Sequence, residues 1–199
     1  MKKKSVKHSF NVALLALAVA ISSTPVSAEI ASAGSYKIDP DHTTALFTVS
    51  HLGTSNLTGR FNTVAGNISF NPKGDSKVEV TIQTDSVDTN HQKRDVHLRG
   101  PDFFNAKQFP VMKFVSTKVS YNGQGEPVSV TGKLSLHGNT QNVTFDVKPV
   151  GAGKDPWGGY RAGYDATATV KRSDFGMNFM PGGIGDDISI KLNIEAIKQ

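Results

Sequence analysis

The chain has 199 residues with 22 basic and 17 acidic side chains, but four lysines lie within the first seven residues, so that from Glu29 onward 18 basic groups face 17 acidic ones. A nearly neutral surface with no basic stripe argues against nucleic acid as a partner. Cysteine is absent, which excludes disulfides, thiolate catalysis, cysteine–zinc sites and lipid attachment at an N-terminal cysteine.

At the start, Lys2, Lys3, Lys4 and Lys7 precede an apolar run from Phe10 to Ile21, shorter than the roughly 20 residues a bilayer-crossing helix needs. Pro25 then breaks any helix, and Val26-Ser27-Ala28 offers the small residues a signal peptidase accepts. The expectation is a signal peptide over residues 1–28, cleaved after Ala28, export to the periplasm, and a single domain over residues 29–199.

Beyond Glu29 the chain alternates apolar and polar residues in short runs, the signature of antiparallel strands with one dry face. Strands are predicted over residues 44–52, 57–61, 64–70 and 78–83, with Asn71-Pro72-Lys73-Gly74 turning the chain before the last of these. Alternation stops from 86 to 110, where residues 91–100 read as a polar helix ended by Pro101, followed by Phe103, Phe104 and Phe109. This insert is expected to pack its aromatic flank across one end of the sheet. Further strands follow over 113–121, 128–137, 143–148, 160–171 and 188–195, with turns at Asn122-Gly123-Gln124-Gly125 and Gly151-Ala152-Gly153. The total is about eight to nine. Such strands form a sandwich or close into a barrel, and closure removes edges that invite aggregation. Small residues on a dry face, Ala162, Ala166 and Ala168, leave room for a cavity. Charged residues opposite the dry faces, among them Glu79, Lys133, Asp146 and Lys191, oppose an outer-membrane barrel.

Candidate chemistry is sparse. No G-x-S-x-G or H-E-x-x-H element occurs, so no catalytic group and no metal site is assigned. His91 and Asp95 share a helix face, and Asp39-Pro40-Asp41-His42 puts potential ligands in a row, but a solvated face and a turn into a strand are the better explanations. Residues 175–185 gather Phe175, Met177, Phe179 and Met180 among Gly182, Gly183 and Gly185. Adaptable side chains on a mobile backbone suit a flap that gates a pocket, or a plug for the barrel end.

Several fragments, in order, resemble the YceI-like periplasmic proteins: Tyr36-Lys37-Ile38-Asp39-Pro40-Asp41-His42, Phe47 to Gly53 (FTVSHLG), Gly59-Arg60-Phe61, Arg94-Asp95-Val96-His97-Leu98-Arg99 with Asp102-Phe103-Phe104, Phe109-Pro110, Gly132 to Gly138 (GKLSLHG) and Arg172-Ser173-Asp174-Phe175-Gly176. The resemblance covers nearly the whole exported chain. It implies an all-β, antiparallel, lipocalin-like barrel of about eight strands with a short helical insert, holding a polyisoprenoid lipid of quinone or prenyl-phosphate type, with no enzymatic activity and no cofactor besides that lipid. The inward lining is then expected at Phe47, Val49, Ile68, Phe70, Val80, Ile82, Phe114, Leu134, Phe145, Tyr164, Ile190 and Leu192, with ordinary core packing as their other role. The expected partner is a long-chain isoprenoid lipid, while transient membrane contact and a homodimer stay open. The competing reading is a periplasmic enzyme acting on small lipids or stress products through His51, His97 or His137.

Overall fold

The computed structural model describes residues 30–199, so the signal-peptide expectation lies outside the described residues. Eleven strands form one antiparallel sheet: β1 (Gly34–Ile38), β2 (Thr44–His51), β3 (Ser55–Phe61), β4 (Val64–Phe70), β5 (Lys77–Gln83), β6 (Val87–Asp88), β7 (Val111–Tyr121), β8 (Pro127–Leu136), β9 (Asn139–Lys154), β10 (Tyr160–Lys171) and β11 (Ile184–Lys198). One helix, α1 (Gln92–Arg99), lies between β6 and β7.

Sheet order is β1-β4-β5-β7-β8-β9-β10-β11, and β1 pairs back onto β11, which closes an eight-stranded barrel. The first six strands act as three bent staves. β11 pairs with β1 through Ala196, Ile197 and Lys198 and with β2 from Asn193 back to Ile184, so β1 and β2 lie end to end along it. On their other side β4 pairs with β1 and β3 with β2, and β5 and β6 in turn pair with β4 and β3.

The first bend is a single 3-10 turn, Pro40–His42. Around it the Asp39 amide donates to the Glu195 carbonyl at 2.9 Å, and Arg161 Nη1 donates to Asp39 Oδ2 at 2.6 Å and Glu195 Oε1 at 2.5 Å. Asp39, His42 and Glu195 thus bring metal-type ligand atoms within 4.8 Å of one another, but the Arg161 guanidinium bridges the two carboxylates and already takes up their oxygens. The row of candidate ligands is a structural staple.

Alternation explains the core. In β4, Val64, Ile68 and Phe70 are buried while Ala65, Asn67 and Ser69 are exposed, and in β9 Val143 and Phe145 point inward while Thr144 and Asp146 face out. Each such side chain removed from water contributes about 1.5–3 kcal/mol, which fixes register because a one-residue slip would turn the set outward.

Three local expectations are corrected. Strand β1 went unread because only Tyr36 and Ile38, both 2 % exposed, mark its inner face. Gly151-Ala152-Gly153 is no turn: β9 runs through it to Lys154, pairing with β10 across an irregularity at Gly163/Tyr164. The chain turns instead where Asp155 Oδ1 accepts the amides of Trp157 and Gly159 at 3.0 and 2.7 Å, a side-chain-capped turn that glycine content alone did not reveal. Finally, His91 and Asp95 do not converge. His91 is the N-cap of α1, its Nδ1 accepting from the Arg94 amide at 3.2 Å, whereas Asp95 turns inward to accept from the Thr89 amide and hydroxyl at 2.8 and 2.5 Å.

Candidate functional site

The barrel is hollow. A lower chamber of about 100 Å³ is bounded by Ile68, Phe70, Val80, Phe114, Phe145, Tyr164 and Ala166, among others. An upper chamber of about 350 Å³ is bounded by Phe47, Val49, Phe61, Leu98, Phe104, Met177 and Phe179, among others. Ile82, Met112, Leu134, Ile190 and Leu192 line both, so the two meet at a waist built from four strands, β5, β7, β8 and β11. Along β11 the lining runs from Ile184 to Ile194. At about 3.4 Å per residue and a tilt near 40°, those ten steps span roughly 26 Å of barrel axis.

All twelve residues expected in the lining face these chambers. Phe47 and Val49 serve the upper one; Ile68, Phe70, Val80, Phe114, Phe145 and Tyr164 the lower; Ile82, Leu134, Ile190 and Leu192 the waist. Glycine keeps the space open at two points. An added Cβ on Gly59 would overlap the Phe47 ring, and one on Gly132 the Phe114 ring, so each aromatic lies flat over a neighbouring strand instead of standing into the cavity. Apart from Ser76 and the Tyr164 phenol, whose pKa burial raises, the lower chamber is lined by apolar side chains.

Sequence reasoning missed Met112, because it began the strand at 113 whereas β7 starts at Val111. Extending the alternation of Phe114 back by two residues would have found it. It also missed that the insert supplies lining directly: Phe104 packs edge-on to Phe61 and Phe47, with ring centroids 5.2 and 6.3 Å away.

Above the waist, the segment between β10 and β11 covers the chamber. Met177, Phe179 and Met180 line it, but Phe175 does not; it is 1 % exposed in the 3-10 turn Arg172–Phe175, and its carbonyl accepts from Asn139 Nδ2 at 2.9 Å and contacts His137 Nδ1 at 3.0 Å. Phe175 is therefore the fixed root of the segment rather than part of a moving flap. Arg172 is the post. Only 5 % exposed, it donates to the carbonyls of Met177 (2.5 Å), Gly185 (3.0 Å) and Ile184 (3.0 Å), tying both ends of the loop together.

The histidines do not gather into one constellation. His51 and His97 both lie along the upper chamber, and His97 Nε2 pairs with Asp102 Oδ2 at 2.8 Å, both side chains about half exposed. Among the described residues no serine or threonine hydroxyl is bonded to that pair. His137 packs under Phe109, ring centroids 5.0 Å apart, with its Nδ1 turned to the Phe175 carbonyl. The arrangement offers an enclosed apolar volume and a polar rim, geometry that can hold an alkyl chain.

Comparison with known proteins agrees in extent and in shape. The family model described as a YceI-like domain matches residues 36–196. A UPF0312 protein of Pseudomonas aeruginosa is 45% identical over 186 residues, covering 92% of this chain and 96% of its own. The Campylobacter jejuni YceI protein superposes with a TM-score of 0.64 at 31% identity, over 75% of this chain and 90% of that one. A domain from Saccharophagus degradans described as polyisoprenoid-binding shares the fold at a TM-score of 0.60 and 15% identity, over 82% of this chain and 98% of that one.

Proposed function

The chain belongs to the YceI-like family, and on that premise we propose that it is a binding protein, not an enzyme, that encloses the chain of a polyisoprenoid lipid in its two-chambered interior. The observation that carries this reading is the continuous apolar lining from Ile184 to Ile194, narrowed at the waist but interrupted by no charged side chain below it. The description of the Saccharophagus degradans domain as polyisoprenoid-binding supports it. The basic, apolar and small-residue order of residues 1–28 supports export to the periplasm, where the protein would carry or store such a lipid.

Energetics favour exchange over capture. Each buried methylene is worth about 0.8 kcal/mol relative to water, so one five-carbon isoprene unit gains about 4 kcal/mol on leaving water. A bilayer offers nearly the same gain, and the net transfer from membrane to barrel sits near zero. Mature protein purified from its own host is expected to release, on extraction with organic solvent, a long apolar lipid whose mass series is spaced by isoprene units. Protein that arrives empty and also takes up no polyprenyl lipid from vesicles would defeat the proposal.

A further inference from the structure

We propose that the rim of the upper chamber is a docking surface for an anionic lipid bilayer, entered by Leu52, Val96, Phe179 and Met180. This rests on the lipid-binding reading and adds where, and against what surface, the protein loads. These four are among the large apolar side chains the barrel leaves exposed, at 54, 60, 38 and 43 %. They form one band. The Leu52 amide donates to the Gly183 carbonyl at 2.7 Å, and the Gly183 amide to the Met180 carbonyl at 3.2 Å. Phe179 meets His97 of α1 with ring centroids 5.2 Å apart, and Val96 and Lys93 share the exposed side of that helix.

Backbone conformation points the same way. Leu52 and Met180 hold φ of 55° and 50°, a left-handed region that costs a bulky side chain about 1 kcal/mol or more. Two exposed apolar residues are thus held in a disfavoured conformation side by side at the rim.

Charge selects the surface. The segments forming the rim, residues 50–56, 91–100 and 176–184, carry Lys93, Arg94 and Arg99 and a single carboxylate, Asp95, buried against Thr89. Arg94 and Arg99 are bonded to Thr89 and to backbone carbonyls of Asp85 and Val87, so their charge is not cancelled by an ion pair among the described residues. Of the acids flanking these segments, Asp102 is paired with His97, Asp88 with Arg60 and Asp186 with Lys171.

The opposite end offers a rival in Trp157, 81 % exposed at the β9–β10 turn. Its ring lies under Arg161 at 5.8 Å, but that guanidinium is already bonded to Asp39, Asp155 and Glu195, and with the neighbouring Lys154 and Lys198 the cations there only balance those three carboxylates. An anionic surface finds no excess of positive charge there and finds one at the rim.

The sequence holds one tryptophan, which makes the two ends separable by fluorescence. With vesicles of phosphatidylcholine and phosphatidylglycerol bearing brominated chains, Trp157 in the unaltered protein should remain unquenched. A tryptophan at the rim, in a Trp157→Phe, Phe179→Trp variant, should be quenched. Lys93→Glu should lower partitioning by roughly tenfold or more, since each cation near such a surface contributes about fivefold, and Leu52→Ser should lower it independently. Circular dichroism confirms that each variant is folded. Quenching of Trp157, or partitioning indifferent to both substitutions, overturns the proposal. Lipid extracted from the same preparations reports separately on whether the interior is loaded, so a failure of docking is distinguishable from a failure of lipid binding.

Discussion

Replacing Ala166 with phenylalanine fills the lower chamber and should shorten the lipid the protein retains. Ala166 is 6 % exposed, lies between Val147 and Leu192 in register, and lines the lower chamber with both of them. At roughly 24 cal/mol per Å³, removing a void of about 100 Å³ returns about 2 kcal/mol. Forcing a ring into packed surroundings costs about 1–3 kcal/mol, so the unloaded variant should be nearly as stable as the parent. The lipid is affected far more. Each isoprene unit pushed out of the chamber into water forfeits about 4 kcal/mol, close to a thousandfold in retention. Short chains that need only the upper chamber should be unaffected. The assay is uptake from vesicles carrying polyprenyl lipids of graded length, read by mass spectrometry of the recovered protein. Equal retention of long and short chains, in a variant whose phenylalanine is shown to point inward, would refute the chamber as a tail site.

Arg172→Met should remove about 3 kcal/mol of stability in urea, because one buried and two half-buried carbonyls lose a charged donor, and Arg172→Lys should restore only part of it, since an ammonium does not fork as a guanidinium does. Hydrogen exchange of amides 177–184 should quicken in the methionine variant while β4 and β5 stay protected; unchanged exchange would show that Arg172 does not hold the loop. Stability should also vary with pH around the first bend. Arg161, then His42, hold the Asp39 carboxyl down at about 2, so its contribution is complete above the ordinary value of 3.8 and is lost as pH falls toward 2. Asp39 raises His42, whose contribution is complete below 6.5 and is lost as pH climbs through the raised value. Urea midpoints followed against pH should therefore fall on both sides, His42→Asn flattening the upper limb and leaving a reduced lower limb that Arg161 still supports; an upper limb unchanged in that variant would assign it elsewhere.

The sequence revealed most where burial is one-sided. Val78, Val80 and Ile82 against Glu79, Thr81 and Gln83 leave no choice of face, and the same alternation placed all twelve expected lining residues on chamber walls. What stayed hidden depends on partners remote in sequence. The bend between β1 and β2 is held by Arg161 and Glu195, more than 120 residues away from Asp39 in the first case. Asp95 reads as a helix-face acid until Thr89 is seen to turn it inward. Phe175 reads as one more apolar residue in a glycine-rich loop, and only the carbonyl contacts to His137 and Asn139 distinguish root from rim. Local pattern reports which face is dry; it does not report what closes an end.

That distinction bears on how the proposed lipid would enter and leave. The barrel wall is one closed ring of paired strands, so opening it sideways would break ladder bonds along a whole stave. The upper end is different in kind: it is shut by side chains and a short loop pinned at Arg172, with Phe103, Phe179 and His97 in mutual edge contact 5.0 to 5.4 Å apart. Separating those rings costs about 0.5–1.5 kcal/mol per pair, within reach of thermal motion and far below the cost of parting strands. A bilayer docked at the rim, as proposed, would supply an apolar surface to the freed rings and lower even that cost. If the proposed lipid binding is right, the lowest barrier to loading lies in the Phe103, Phe179 and His97 contact, and a wall of continuously paired strands is what would let a near-zero exchange energy coexist with a chain shielded from water.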